Sequence, residues 1–136
     1  MYRVGRFFSF DGRLARLPFF LRGIQVGIAA SVIFIASLPL FMNGGRLLWW
    51  AGIVVVGAAL AVLGVSAFSL TARRLHDLGL SGYHALWVVA ANVLSEFLSR
   101  GSSKAVLVSL PFAAVGLWLM FWPGNKAANG FGPVPD

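Results

Sequence analysis

Four long apolar segments alternate with short polar segments along this chain. The apolar segments run from about 17 to 42, 47 to 70, 80 to 98 and 105 to 122. A helix of about 20 residues crosses a hydrocarbon core of about 30 Å; the first two segments exceed this length and the last two approach it. Uninterrupted apolar runs such as Ile53 to Val56 exclude the alternating pattern of a membrane β-barrel. The pattern therefore predicts an all-α membrane protein, a bundle of four transmembrane helices.

The polar connections are short and contain turn-forming residues. Asn43 to Arg46 links the first two segments, and Arg100 to Lys104 links the last two. A polar hinge at 71–82 lies between the second and third segments, and a tail follows at 123–136. The first apolar segment is about twice as long as the apolar region of a signal peptide and lacks a clear cleavage site, so we expect it to be retained. These features predict one membrane domain covering residues 1–136.

The composition agrees with a membrane location and suggests a class of neighbour. Hydrophobic residues make up 59% of the chain and charged residues only 11%, whereas soluble domains carry roughly 25% charged residues. Eleven Lys and Arg face four Asp and Glu, which gives a net charge of +7. Such an excess favours anionic lipid, nucleic acid or an acidic protein, and in so apolar a chain we expect lipid headgroups and no nucleic acid. The absence of cysteine excludes disulfides and thiolate sites.

The basic residues divide unequally between the two sides of the predicted bundle. Three flank one side, namely Arg46, Arg100 and Lys104. Because Lys and Arg favour the cytoplasmic side, the richer side, with both termini and the hinge, is predicted to be cytoplasmic. Before the first span, arginines alternate with phenylalanines, which predicts a short interfacial segment. The residues on the richer side are Arg3, Arg6, Arg13, Arg16, Arg22, Arg73, Arg74 and Lys126.

Three polar segments carry recognisable motifs. Phe-Asp-Gly-Arg-Leu-Ala-Arg stands at 10–16, Arg-Arg-Leu-His-Asp at 73–77 with Ser-Gly at 81–82, and Asn-Gly-Phe-Gly-Pro-Val-Pro at 129–135. In this order they resemble the domain of unknown function 805 family, small bacterial inner-membrane proteins, over nearly the whole chain. The resemblance implies the bacterial plasma (inner) membrane as location. It implies no activity, since the family is named for lacking one.

All three motifs fall on the predicted cytoplasmic side, where they can converge into one basic patch. In one interpretation the patch is a structural clasp: Asp77 pairs with Arg74 or Arg73, its neighbours on a helix, and Asp11 pairs with another arginine. In the other it is an anion site for a lipid headgroup, a phosphorylated ligand or an acidic partner, because arginine matches phosphate geometry. The two are compatible. The patch residues are Arg13, Arg16, Arg73, Arg74, His76, Asp77 and Asn129.

The inventory of reactive side chains argues against catalysis. His76 and Asp77 alone are too few for a zinc site, which needs three or four protein ligands, and the chain has two His and four acids in total. We expect His76 to be a packed, hydrogen-bonded histidine. No phosphate loop or nucleophile elbow occurs, so we predict no catalytic residue, metal or cofactor. Glu96, an acid inside a predicted span, stands four residues before Arg100 and is expected to pair with it.

These observations favour a non-enzymatic scaffold, regulatory or accessory subunit whose basic patch contacts anionic lipid or a partner protein. Small residues at helical spacing, such as Gly23 and Gly27, favour close helix contacts inside the bundle over contacts in a homo-oligomer. Assembly into a larger membrane-protein complex or a homo-oligomer stays an open alternative. A small transporter or channel, formed by the bundle or its oligomer, is the alternative. An interfacial enzyme acting on lipid phosphates is the third.

Overall fold

The computed structural model describes residues 7–42, 45–90 and 105–135, and this part of the chain is helical with short connections. Helix α1 spans Arg16–Met42 and helix α2 spans Arg46–Asp77. Helix α3 begins at residue 84 and is described through residue 90. Helix α4 spans Ala105–Phe121. Within the described ranges the β-structure amounts to one isolated bridge in the tail, so the fold is all-α.

Helices α1 and α2 have the length and composition to cross a membrane. They contain 27 and 32 residues, or about 40 Å and 48 Å at 1.5 Å per residue, against a hydrocarbon core of about 30 Å. Only 6% of the most apolar stretch of α1 and 17% of that of α2 are buried inside the chain. The core helix of a soluble domain would be mostly buried, so these two helices present their apolar side chains to the surroundings.

Helix α2 continues beyond the end of its apolar segment. The sequence predicted a span ending at residue 70 and a hinge at 71–82, but 71–77 are helical and the turn occupies the residues just after them. A glycine cap ends the helix: Gly79, at φ +79°, donates its N–H to the carbonyl of His76 (3.0 Å), and Leu80 donates to Leu75 (2.9 Å). Hydropathy therefore located the apolar part of α2, whereas the glycine determines where the helix stops.

The described helices meet at one end of the molecule. The backbone N–H of Leu14, just before α1, donates to the carbonyl of Arg73 near the end of α2 (3.1 Å), so α1 and α2 are antiparallel. At the same end Leu75, Ala85 and Leu119 bring α2, α3 and α4 into one small buried cluster. The partly buried side chains around this cluster are Phe19, Phe68, Leu78 and Val115. The beginning of α1 and the ends of α2 and α4 are thereby fixed against one another.

Candidate functional site

A buried ion-pair network lies at the end where these helices meet. Asp77, the last residue of α2, accepts hydrogen bonds at Oδ1 from Nε (3.1 Å) and Nη2 (2.9 Å) of Arg13. Its Oδ2 accepts from Nη1 of Arg74. All three side chains are at least 96% buried, since their exposures are 4%, 1% and 0%. We call the following residues the polar cap: Arg13, Arg74, His76, Asp77, Asn125, Asn129 and Phe131.

Arg13 joins the carboxyl-terminal tail to the end of α2. Its Nη1 donates to the carbonyls of Ala127 (2.7 Å) and Gly132 (3.4 Å), and its Nη2 donates to the carbonyl of Asn125 (2.5 Å). A guanidinium has five N–H donors. The three bonds to carbonyls and the two bonds to Asp77 make five acceptor contacts, one for each donor. The hydrogen-bonding capacity of this guanidinium is therefore used within the chain.

Arg74 joins α2 to the end of α4. Its Nε donates to the carbonyl of Leu119 (2.7 Å), and its Nη2 donates to the carbonyl of Trp122. Carbonyls at the carboxyl end of a helix carry a partial negative charge. Two arginines against one aspartate leave a surplus positive charge in a buried position. The terminal carbonyls of α4 offset part of that charge, and this accounts for a second guanidinium beside a single carboxylate.

Carbonyls in the last turns of α2 receive donors from the segment before α1 and from the tail, in addition to those from Gly79 and Leu80 of the hinge described above. Helices leave their last four carbonyls without partners inside the helix. Here Leu14 donates to Arg73, as noted, and the Asn129 side-chain amide donates to the carbonyl of His76 (2.9 Å). The backbone N–H of Asn125 donates to the carbonyl of Asp77 (2.9 Å). The segment before α1, the hinge and the tail thus all cap the same helix end, which explains why the sequence motifs occur in three places.

His76 is packed and hydrogen-bonded. Its Nδ1 lies 3.1 Å from the carbonyl oxygen of Gly12, so this nitrogen carries the hydrogen and donates it. The imidazole stacks on Phe131 with ring centroids 4.1 Å apart and planes 2° apart. The hinge passes so close to the ring that a Cβ on Gly82 would lie 3.0 Å from Nε2. In the described part of the chain, no group of three His, Asp or Glu side chains is placed to hold a metal ion.

The other predicted site residues lie in different surroundings. Arg73 is buried on α2. Arg16, the first residue of α1, is exposed, and within the described ranges its side chain makes no hydrogen bond or ion pair. Asp11 is also exposed, and the ion pairs found among the described residues do not include it. Glu96 and Arg100 lie outside the described residues. The arginines of the predicted patch therefore divide into three buried ones, Arg13, Arg73 and Arg74, and an exposed one, Arg16.

Several residues of the site were not singled out from the sequence. The backbone of Gly124 lies so close to Asp77 that a Cβ there would overlap Oδ2 and lie 2.5 Å from Cγ. Ser69 on α2 donates its hydroxyl to the carbonyl of Ser9. The run Pro123-Gly124-Asn125 does signal a turn. Nothing in that run indicates that the turn closes over a carboxylate on another helix.

Comparison with known proteins identifies the family of this chain. The model of a family described as a protein of unknown function (DUF805) matches residues 7–133, a range that contains the whole polar cap. The chain belongs to this family, as the three motifs predicted. Searches of curated proteins and of solved structures find no match.

Proposed function

We propose that this member of the DUF805 family is a multi-pass protein of the bacterial inner membrane, with both termini in the cytoplasm. In this proposal it is a non-enzymatic scaffold, regulatory or accessory subunit. The polar cap forms a rigid cytoplasmic platform, and the basic surface around it contacts anionic lipid or a partner protein. The engagement of the Arg13 and Arg74 guanidiniums inside the chain is the observation that carries the proposal.

The distribution of aromatic and basic residues supports the proposed orientation. Trp50 and Leu70 are about twenty residues apart on α2, which corresponds to about 30 Å of helix, the thickness of a hydrocarbon core. The exposed indole of Trp50 suits one interface, and the polar cap beyond Leu70 suits the other. In the described ranges, the basic residue at the Trp50 end of α2 is Arg46. The basic residues on the side of the cap are Arg13, Arg16, Arg22, Arg73, Arg74 and Lys126.

The hydrogen bonds of the cap support a structural role for its charges. A catalytic acid, base or anion clamp needs a donor or acceptor that a substrate can reach. Both oxygens of Asp77 accept from arginines, and the donors of Arg13 are matched by acceptors in the chain. The imidazole of His76 is held by the Gly12 carbonyl at Nδ1 and by stacking on Phe131, and the cavity that this histidine lines is otherwise mainly apolar. These side chains hold separate segments of the chain together, which is the role that a rigid platform requires of them.

Reporter fusions test the orientation. A pair of reporters that are active on opposite sides of the membrane is fused to the carboxyl terminus or inserted into the connection at 43–45. The proposal predicts cytoplasmic activity at the carboxyl terminus and external activity at the connection. The reverse result, or the same side for both positions, overturns the proposed topology.

Gentle extraction followed by native mass spectrometry tests the role. The full-length protein is expected to leave the membrane together with a partner protein or with tightly held anionic lipid. A bare monomer, free of both, counts against a scaffold or accessory subunit. Purified protein in liposomes supplies the complementary measurement, since solute flux above that of empty liposomes indicates a transporter or channel instead.

A further inference from the structure

We propose that the groove between α1 and α4 is a binding site for one anionic glycerophospholipid, with an acyl chain in the groove and the phosphate on Arg16. This inference rests on the proposed function, because it requires the polar cap to lie at a membrane surface. It deepens that function by naming the ligand class and by placing the anion at Arg16 instead of at the buried arginines.

Two arginines three residues apart in the sequence are used in opposite ways. Arg13 is buried, and its donors are taken up by Asp77 and by carbonyls of the tail. Arg16 is exposed, and in the described part of the chain neither a carboxylate nor a carbonyl accepts from its guanidinium. A guanidinium with its planar fork open to the surroundings is suited to phosphate. Arg16 therefore has the donors for an anion that Arg13 lacks.

An apolar groove leads away from Arg16. A cavity of about 300 Å³ lies between Arg16, Leu17 and Phe20 of α1 and Met120 and Phe121 of α4. A second cavity, of about 550 Å³, shares Phe20 and Met120 with the first. The two cavities therefore adjoin each other along α1 and α4.

The second cavity continues between the same two helices, away from the polar cap. It is lined by α1 from Phe19 to Ile24 and by α4 from Ala113 to Met120. Gly23 and Gly116 form part of its walls, and each has open space where a Cβ would stand. The absence of side chains at these positions widens the groove.

The dimensions fit one acyl chain in one leaflet. From Arg16 to Ile24 the groove follows α1 for about 12 Å, and one leaflet provides about 15 Å of hydrocarbon depth. On α4 the interval from Ala113 to Phe121 has the same length and runs in the opposite direction. The groove thus begins at the level of the polar cap, where a headgroup would lie, and runs toward the middle of the membrane.

Charge complementarity favours a lipid over a second helix. Among the residues that line the two cavities, Arg16 is the charged one, and it stands at the end nearest the polar cap. An apolar helix seated in the groove would leave this guanidinium without an anion. An anionic phospholipid satisfies both parts at once, because its phosphate accepts from Arg16 while its chain covers the exposed Phe20 and Leu117.

A lipid titration of the purified full-length protein tests the site. Native mass spectrometry measures binding of phosphatidylglycerol and of phosphatidylcholine to wild type, Arg16→Gln and Arg46→Gln. Arg46 is the matched control, since it is also an exposed arginine and the first residue of a long helix, α2. We expect wild type and Arg46→Gln to prefer phosphatidylglycerol and Arg16→Gln to lose about fivefold of that preference. An unchanged preference in Arg16→Gln overturns the proposal.

A second pair of variants tests the groove itself. Gly116→Leu fills the groove, whereas Gly57→Leu adds the same side chain on α2 at a position that also has open space around it. We expect phosphatidylglycerol binding to fall in Gly116→Leu and to be retained in Gly57→Leu. Thermal unfolding of each purified variant shows whether it is folded. If Gly116→Leu does not fold, the lipid preference of Arg16→Gln decides the proposal.

Glycerol 3-phosphate distinguishes a lipid from a free anion. The compound carries the phosphate without acyl chains, so we expect it to compete poorly with phosphatidylglycerol. Effective competition would indicate a soluble phosphate site and overturn the lipid assignment. The topology is measured separately by the fusions, and copurification of a partner protein is measured separately by the extraction. Failure of the lipid site leaves those two results intact.

Discussion

The two ends of the α1–α2 hairpin are held by different kinds of contact. At the polar cap, the end of α2 is bound by ion pairs and by hydrogen bonds from segments far apart in sequence. At the opposite end, which we call the aromatic end (Phe41, Trp49 and Gly52), the rings of Phe41 and Trp49 meet edge to face with centroids 6.4 Å apart. There the edge of the Phe41 ring approaches Gly52 closely. Helix α2 thus begins in apolar contact and ends in a polar network.

The two kinds of contact contribute differently to the fold. Polar contacts determine which segments pair, whereas apolar contacts mainly add stability. Hydrogen bonds and ion pairs require donors and acceptors at defined positions, and a buried group that loses its partner keeps its desolvation penalty. Apolar contacts depend mainly on area and tolerate small shifts. We therefore expect the polar cap to decide which segments meet, whereas the aromatic end contributes a contact that many apolar residues could replace.

The largest effect is expected for Asp77→Asn. The amide keeps the shape of the carboxylate but removes the negative charge between Arg13 and Arg74, and it presents an NH₂ group to a guanidinium. Breaking a buried ion pair by removing one partner costs about 3–5 kcal/mol. Chemical unfolding of the purified protein, or its abundance in membranes, measures the loss.

Asp11→Asn is the matched control for that variant. It makes the same chemical change at an exposed carboxylate that forms no ion pair within the described ranges. Its free energy of unfolding should stay within about 0.5 kcal/mol of wild type. Equal stability of the two variants would show that the Asp77 ion pairs contribute little.

Gly124→Ala should have the next largest effect. The added Cβ would overlap the Asp77 carboxylate, so the tail must move and the hydrogen bond from Asn125 to Asp77 must lengthen. Overfilling a packed site costs about 1–3 kcal/mol. Gly130→Ala, in the same tail with open space around the new Cβ, should cost less, and thermal unfolding compares the two. Equal unfolding temperatures would contradict the close approach of Gly124.

The two ends also differ in how far the sequence predicts them. Apolar runs located α1 and α4 to within a residue of their ends, because in these two helices the apolar segment and the helix coincide. The spacing of Arg74 and Asp77 indicated their pairing. The partners of Arg13 did not follow from sequence, since most of them are backbone carbonyls more than a hundred residues away, and every residue offers such a carbonyl.

The end of α2 shows a signal that hydropathy overlooks. The polar residues after Leu70 suggested a hinge, yet they continue the helix to Asp77. Gly79 marks a helix stop two residues later, with basic residues in the preceding turn, which is a common pattern at a helix carboxyl end. Hydropathy measures how residues interact with lipid. The stop signal depends on backbone geometry, and the two disagree where a helix continues beyond its apolar part.

A smaller effect is expected at the aromatic end for Phe41→Leu. Leucine keeps an apolar side chain but is shorter, so it removes the tip of the ring and the edge-to-face contact with Trp49. Such aromatic pairs contribute about 0.5–1.5 kcal/mol beyond the area that they bury. The fluorescence of the tryptophans and the free energy of unfolding report the change. A loss as large as that of Asp77→Asn would remove the distinction between the two ends.

The smallest effect is expected for Gly52→Ala, which makes the same substitution as Gly124→Ala at the other end. The new Cβ would lie 3.1 Å from Cζ of Phe41, at the far tip of a side chain that can rotate, and 3.3 Å from Cβ of Leu40. Alanine in place of glycine favours a helix interior by about 1 kcal/mol, which opposes this contact. The steric contact and the helix preference of alanine oppose each other, so we expect the free energy of unfolding to stay within about 0.5 kcal/mol of wild type.

The double variant tests whether the Phe41 ring causes the cost. In Phe41→Leu the tip of the ring is absent, so Gly52→Ala should be stabilising in that background, and thermal unfolding of the double variant measures this coupling. A loss at Gly52 equal to that at Gly124 would mean that the aromatic end is as tightly specified as the polar cap.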